Sequence, residues 1–341
     1  MPPSLAIDAF LSGAGILVDV RTPSEFLQGH IPGARNLPLF SDGERAVVGT
    51  LYKQSGRQAA VRHGLELVGP QMASLADQLL AAHAARSDHP LRLHCWRGGL
   101  RSASVAWLAS TLDLPVVVLE GGYKTYRRWV LAQMERTWPL RLLGGRTGTG
   151  KTALLRALAR RGVAVVDLEG LAHHRGSSFG GLGLPEQPSG EQFENHLAAA
   201  LERHSGAAEI WLEAESAQVG RCRIPSGLWR QMRTASVLEI RRPLQERLRH
   251  LVEIYGPQDP AALMDATRRI QKRLGPQRTA AAVDAIAQGA MEDACTQMLD
   301  YYDRCYDRDI AAHAVTAVDL QGLDPEAAAT DLIRQGLVRA P

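Results

Sequence analysis

The sequence predicts an α/β protein: two parallel-sheet domains in series, the second running into a helical C-terminal region. Three observations predict this. Apolar strand-like runs alternate with helical spacing from Gly15 to about Arg136; the alternation restarts after Trp138-Pro139; and 341 residues exceed what one hydrophobic core usually organises. The expected domains are residues 1–136 and 139–341.

In chain order, Gly15-Ile16-Leu17-Val18-Asp19-Val20-Arg21 reads as a short buried strand ending in charge. A Gly- and Pro-containing loop, QGHIPGARNLPL, follows it. Residues 71–86 carry helical spacing, and Leu91 to His94 form a strand that feeds a cysteine-containing loop. A helix over 101–112, a strand over 116–119 and a helix through about Arg136 complete the first domain. Beyond Trp138-Pro139 come a strand (LRLLGG), a glycine loop, a helix (KTALLRALARRG) and a strand (VAVVDLEG). Further strands are expected near Glu209–Leu212 and Ser236–Ile240. From Pro243 onward apolar residues recur at three and four, so that region reads as mostly helical.

Composition excludes several classes. With 45% hydrophobic and 22% charged residues the chain is neither disordered nor fibrous. A net charge of +3, from 39 basic and 36 acidic residues, leaves a nucleic-acid partner to the distribution of charge. Cys95, Cys222, Cys295 and Cys305 form no C-x-x-C pair and suit a reducing compartment. The N-terminus lacks the basic start of a signal peptide, and no apolar run reaches membrane-spanning length. A cytoplasmic location without membrane contact is the expectation.

HCWRGGLRS, residues 94–102, places a cysteine six positions before an arginine with two glycines between. A strand end, a glycine turn and a helix start aim successive N–H groups inward, which binds anions and favours a thiolate. Cys95 is therefore a candidate nucleophile, with Arg97, Gly98, Gly99 and Arg101 as its anion-binding loop. The loop alone leaves two chemistries open, phosphate-ester hydrolysis and chalcogen transfer.

GRTGTGKT, residues 145–152, matches G-x-x-x-x-G-K-[ST] between a predicted strand and a predicted helix. Gly145, Gly148, Gly150 and Lys151 would cradle a di- or triphosphate, and Thr152 would ligate Mg²⁺. The acidic companion is Asp167, Glu213 or Glu215, none of which stands out as a metal ligand. ATP is not specified by these residues, because such a loop holds any pyrophosphate. In HHRGSSFGG, residues 173–181, Arg175, Ser177 and Ser178 are candidate substrate contacts. Arginines cluster over residues 221–249, and Arg221, Arg223, Arg241 and Arg242 offer a footprint for an RNA backbone. Solvated helix faces would wear arginine equally well.

VDVRTPSEFLQGHIPGARNLP, residues 18–38, resembles the N-terminal signature of rhodanese domains, in which the loop cysteine carries a persulfide or perselenide. Sulfurtransferase loops commonly place the arginine five positions after the cysteine. The six found here are shared with rhodanese-like phosphatases. A rhodanese unit fused to GGRTGTGKT, with HHRGSSFGG, EQFEN and WLEAESAQVG following in order, is similar to the bacterial tRNA 2-selenouridine synthases.

That resemblance implies a transferase acting on tRNA with wobble 2-thiouridine. Selenophosphate would be the selenium donor, and geranyl diphosphate would give an S-geranyl intermediate. Cys95 would carry selenium, the glycine loop would bind the departing diphosphate, and a selenophosphate-producing enzyme would be a partner. Two other readings remain at this stage. One is a generic sulfurtransferase or cysteine phosphatase joined to a P-loop ATPase, and the other is a non-catalytic tRNA-binding module.

Overall fold

The computed structural model describes residues 2–340 and divides into two compact units, Met1–Ala132 and Gln133–Pro341. In the first, strands β1 (Ser4–Leu5), β2 (Leu17–Asp19), β3 (Arg35–Asn36), β4 (Leu91–His94) and β5 (Val116–Leu119) form one sheet in the order β1-β5-β4-β2-β3. Every pairing is parallel, with Asp19 opposite His94 and Leu93 opposite Val118. The central strands are buried on both faces, which is why they read as continuous apolar runs. Val18, Leu91, Leu93, Val105, Ala106 and Leu79 form the core between sheet and helices.

Two elements of this unit escape sequence reading. The two-residue β1 is too short to carry any alternation. The second is a helix over Asp42–Val68, bent at Gly56, where φ is 85°. Only Ala60 and Gly64 of that helix are buried, so no packed face imposes an apolar stripe on its sequence. Its start is nonetheless encoded, because Ser41 and Glu44 form a reciprocal capping box.

The second unit contains β6 (Leu140–Gly144), β7 (Ile210–Glu213), the short antiparallel pair β8 (Gln218–Val219) and β9 (Cys222–Arg223), β10 (Ser236–Arg241) and β11 (Val315–Asp319). Its main sheet runs β11-β10-β6-β7, again all parallel. The glycine loop leaves the C-terminal end of β6, beside the end of β7, where α/β sheets bind ligands.

One expectation is corrected here. VAVVDLEG is not a strand but a single bridge, Val165 to Trp211, followed by a helix over Leu168–Ala172. Asp167 turns the chain by accepting from Gly170 N at 2.6 Å. The region after Pro243 is helical except for β11, an edge strand whose mostly exposed side chains carry little apolar pattern.

Candidate catalytic and phosphate-binding sites

Cys95 follows β4 directly and is buried, 3% exposed. Its loop turns through Gly98, at φ 64°, into the helix Leu100–Thr111. Cys95 Sγ lies 3.2 Å from Ser102 Oγ, which donates to Gly99 O at 3.1 Å. With the hydroxyl proton committed to Gly99, a neutral thiol would donate into Ser102 Oγ. Rotation of the hydroxyl would instead let it donate to a thiolate. Ser102 is one residue past the arginine in the cysteine motif, and that position was its only sequence signal.

The loop rests on Gly121-Gly122. Tyr123 N donates to Cys95 O at 2.8 Å and Lys124 N to Trp96 O at 2.9 Å. A Cβ at Gly122 would stand 2.4 Å from Cys95 O and 2.5 Å from Gly98 N.

The two loop arginines differ. Arg97 is exposed and makes no hydrogen bond or ion pair through its side chain among the described residues. Arg101 is clasped by Glu25, with Nη1 to Oε2 at 2.6 Å and Nη2 to Oε1 at 3.2 Å. Although burial opposes its ionisation, Glu25 titrates below the usual carboxylate range because of Arg101. Arg101 is thus a brace across the loop before any ligand binds.

Beneath lies a buried polar group that the motif DVR encodes. Arg21, 1% exposed, meets Asp19 through Nε at 3.0 Å and Nη2 at 2.6 Å, and donates to Gly29 O at 2.6 Å. Its guanidinium carbon sits 3.6 Å from the Tyr123 ring centre. His94 is wholly buried, and neither ring nitrogen has a hydrogen-bond partner. Burial, which Asp19 offsets only in part, pushes His94 down to about 4, so the imidazole is neutral at physiological pH.

In the second unit the glycine loop takes the expected strand–loop–helix setting. Gly145, Gly148 and Gly150 all have positive φ, and helix Lys151–Arg160 begins at the lysine. Lys151 Nζ donates to Gly145 O at 2.8 Å, folded onto its own loop. Arg247, buried, donates from Nε to Thr147 O at 2.8 Å and pairs with Asp303 at 2.5 Å. Arg242 donates to Thr149 O at 3.1 Å and to Leu323 O at 2.6 Å. Two arginines counted toward the basic segment therefore brace the phosphate loop. Arg221 and Arg241 remain exposed beside Glu186 and Glu239, and Arg223 is exposed.

The carboxylate that meets Thr152 is Glu169, whose Oε2 accepts from Oγ1 at 2.6 Å. It lies two positions past Asp167, which is occupied by its helix cap and by Arg156 at 3.2 Å. Glu213, at the end of β7, accepts from Leu168 N at 3.0 Å and leaves Oε1 buried without a partner. Burial first, then Asp167 and Glu169, hold Glu213 well above the usual range. Glu215 is pushed up to about 8 by burial and by hydrogen-bonded Glu169, with Lys151 pulling the other way. At neutral pH this acid cluster retains protons.

A Mg²⁺ beside a bound phosphate would be held by Thr152 Oγ1, once freed from Glu169, and by the orphaned Glu213 Oε1, once Glu213 gives up its proton. Among the described residues no cluster of three or more His, Cys, Asp or Glu is assembled for a metal. Most ligands would therefore come from phosphate and water.

The HHRGSSFGG loop is held by its own contacts. Arg175 Nη1 donates to Leu182 O at 2.9 Å, Ser177 Oγ accepts from Phe179 N at 3.2 Å, and Ser178 O accepts from Arg269 at 3.1 Å. A Cβ at Gly176 would meet Glu215 Oε2 at 2.6 Å, so this loop closes over the acid cluster. No helix among the described residues is long and apolar enough to cross a membrane.

Comparison with known proteins adds to this geometry. Residues 6–128 match the rhodanese-like domain, and residues 138–324 match the tRNA 2-selenouridine synthase AAA domain. The chain is 43% identical to the tRNA 2-selenouridine synthase of Cronobacter sakazakii, over 76% of this chain and 69% of that one. It is 36% identical to the synthase of the same name from Marinobacter nauticus, over 85% and 87%. The N-terminal domain of a Clostridium difficile 630 protein described as ATP/GTP binding matches 38% of this chain and 98% of that one. The match has 37% identity and a TM-score of 0.36.

Proposed function

The chain belongs to the tRNA 2-selenouridine synthase family, and on that premise we propose that it exchanges the sulfur of wobble 2-thiouridine in tRNA for selenium, in two half-reactions. In the first, the thiocarbonyl sulfur attacks C1 of geranyl diphosphate, the C1–O bond breaks, and diphosphate leaves. In the second, a selenium nucleophile derived from selenophosphate adds to C2 of the S-geranyl nucleoside, and geranyl thiol departs. Alkylation makes the sulfur a better leaving group than sulfide would be.

The observation that carries the reading is the pairing, in one chain of this family, of a buried thiol in a glycine-turned loop ahead of a helix with a glycine loop set between strand and helix and ending in Lys151-Thr152. Cys95 is the residue assigned to the selenium half-reaction, and its loop would receive the donor. Arg97 and the N–H groups around Gly98 and Gly99 would attract the anionic donor, and Arg101, clasped by Glu25, fixes the loop. Gly145 to Thr152 would hold the leaving diphosphate, with Lys151 turning from Gly145 O to the phosphate. The raised affinity of Glu215 for its proton supports a diphosphate there, since a neutral acid does not repel it. When bound, Mg²⁺ would supply charge neutralisation to the leaving group. Exposed Arg221, Arg223 and Arg241 would take the tRNA backbone. The setting is cytoplasmic, with selenophosphate delivered by a separate enzyme.

The test is mass spectrometry of nucleosides from 2-thiouridine tRNA incubated with protein, geranyl diphosphate and selenophosphate. Wild type should yield 2-selenouridine. Cys95→Ala should yield none and accumulate S-geranyl-2-thiouridine. Lys151→Ala should make neither product while Cys95 remains open to alkylation. Geranylation at the wild-type rate in Lys151→Ala would overturn the cradle assignment. Aryl phosphate turnover without tRNA would favour a phosphatase.

A further inference from the structure

The helix over Asp42–Val68 belongs to neither site, yet it is built to project. It follows β3 and so starts at the end of the parallel sheet that carries Cys95. Ser24, next to the Glu25 that clasps Arg101, donates from Oγ to Asp42 Oδ1 at 2.5 Å and pins that start. The break at Gly56 then turns the chain back. Gln71 Nε2, just past the second arm, donates to Glu44 Oε1 at 3.3 Å, so the two arms share a base and meet at a free vertex. Val48 and Leu67 pack on the core near that base, and Gly64 faces Phe40. At 1.5 Å per residue, the arm from Glu44 to Gly56 is roughly 18 Å long. Around its far end Tyr52 to Gln58 are exposed without exception.

The charge on this projection is one-sided. Between Glu44 and Glu66 the sequence has no carboxylate, while Arg45, Lys53, Arg57 and Arg62 are all cationic. Lys53 and Arg57 flank the vertex and make no hydrogen bond or ion pair through their side chains among the described residues. Many exposed arginines elsewhere lie against carboxylates, as Arg160 does with Glu326 and Arg230 with Glu135. Tyr52, 59% exposed, adds a ring able to stack. A projecting tip of unpaired cations and an aromatic ring, free of acids, complements a polyanion whose bases stack. We propose that the vertex from Tyr52 to Arg57 is an RNA-docking surface of the first unit. Lys53 and Arg57 meet backbone phosphates of the tRNA, and Tyr52 meets a base. The proposal rests on the reading of this chain as acting on tRNA, and it adds a hold on that substrate by the unit that carries the thiol.

The experiment is fluorescence anisotropy of end-labelled 2-thiouridine tRNA titrated with the full chain over a series of potassium chloride concentrations. Wild type is compared with Lys53→Gln, Arg57→Gln, the double variant and Tyr52→Ala, with thermal unfolding as the check on folding. The double variant should bind about tenfold more weakly at physiological salt. Its slope of log affinity against log salt should be shallower by about 1.4–1.8, the change expected for two phosphates. Should it fail to fold, each single variant decides, with an expected change of about 0.7–0.9. Tyr52→Ala should weaken binding with the wild-type slope, and the double variant should leave Cys95 alkylation at the wild-type rate. Affinity and slope equal to wild type in the folded double variant would overturn the proposal, leaving the tip to solvent or to an acidic protein. Weaker binding with an unchanged slope would overturn the assignment of the two cations to phosphates. Failure of wild type to bind the tRNA at all would overturn the tRNA reading together with the docking surface.

Discussion

Gly122 is the position at which a single methyl group should disable the cysteine loop. Its φ of 61° is left-handed, and a Cβ there would meet three backbone atoms: Cys95 O at 2.4 Å, Gly98 N at 2.5 Å and Arg97 N at 2.9 Å. The left-handed conformation alone costs a non-glycine residue about 1–2 kcal/mol. None of the three atoms can swing aside as a side chain would, so the loop or the Gly121-Gly122 turn must move. Gly122→Ala should therefore cost about 2–4 kcal/mol in total. Gly33→Ala supplies the control, since Gly33 also has positive φ (83°) but nothing within 4 Å of a built Cβ. It should show the conformational cost alone. The assay is urea unfolding of the full chain, read with the rate of alkylation at the Cys95 peptide and with nucleoside products. Gly122→Ala should be less stable than Gly33→Ala, alkylate Cys95 at an altered rate, and lose selenouridine formation while retaining geranylation. Equal stability of the two variants, with Cys95 alkylated at the wild-type rate, would refute the packing argument.

The remaining predictions concern protons and the buried pair. Burial lowers His94 from 6.5 to about 4, so the unfolded chain takes up a proton before the native one does. Stability should fall as pH drops from 6.5 towards 4, and His94→Leu should flatten that part of a urea-midpoint profile. Glu215 is shifted the other way, from 4.5 to about 8, so the native state keeps a proton that the unfolded chain has given up. Stability should decline as pH rises through that interval, and Glu215→Gln should reduce the slope between about pH 5 and about pH 8. Arg21→Ala would leave Asp19 buried and uncompensated, which typically costs about 3–5 kcal/mol and should appear as a lowered urea midpoint.

What could be read from the chain depended on whether a residue's signal was local. The strands around Cys95 and the glycine loop are central and buried, so Leu91 to His94 and Leu140 to Gly144 announce themselves as apolar runs before glycine turns. The helix over Asp42–Val68 is long but buries so little that its composition shows no face. β11 contributes backbone pairing at a sheet edge without much apolar content, and helical expectation swallowed it.

The same division holds at the sites. Cys95, Lys151 and Thr152 lie in contiguous motifs. Glu25 reaches Arg101 across 76 positions and Arg247 reaches Thr147 across 100, and no spacing rule relates such pairs. Glu169 was within sight of Asp167. The choice between them turns on the helix that Asp167 caps, which makes Asp167 the turn-former and leaves Glu169 facing Thr152.

The first sheet ends on either side in a strand of only two residues, Ser4–Leu5 and Arg35–Asn36. An open edge is a template for another chain in proportion to the length of its unpaired backbone. Edges this brief give an incoming strand almost no ladder to extend, and one of them displays an arginine side chain. The parallel sheet beneath Cys95 is therefore poorly suited to intermolecular strand addition. Partially opened copies of this unit should resist joining into fibrils through its edges, a protection that a longer, smoother border would forfeit.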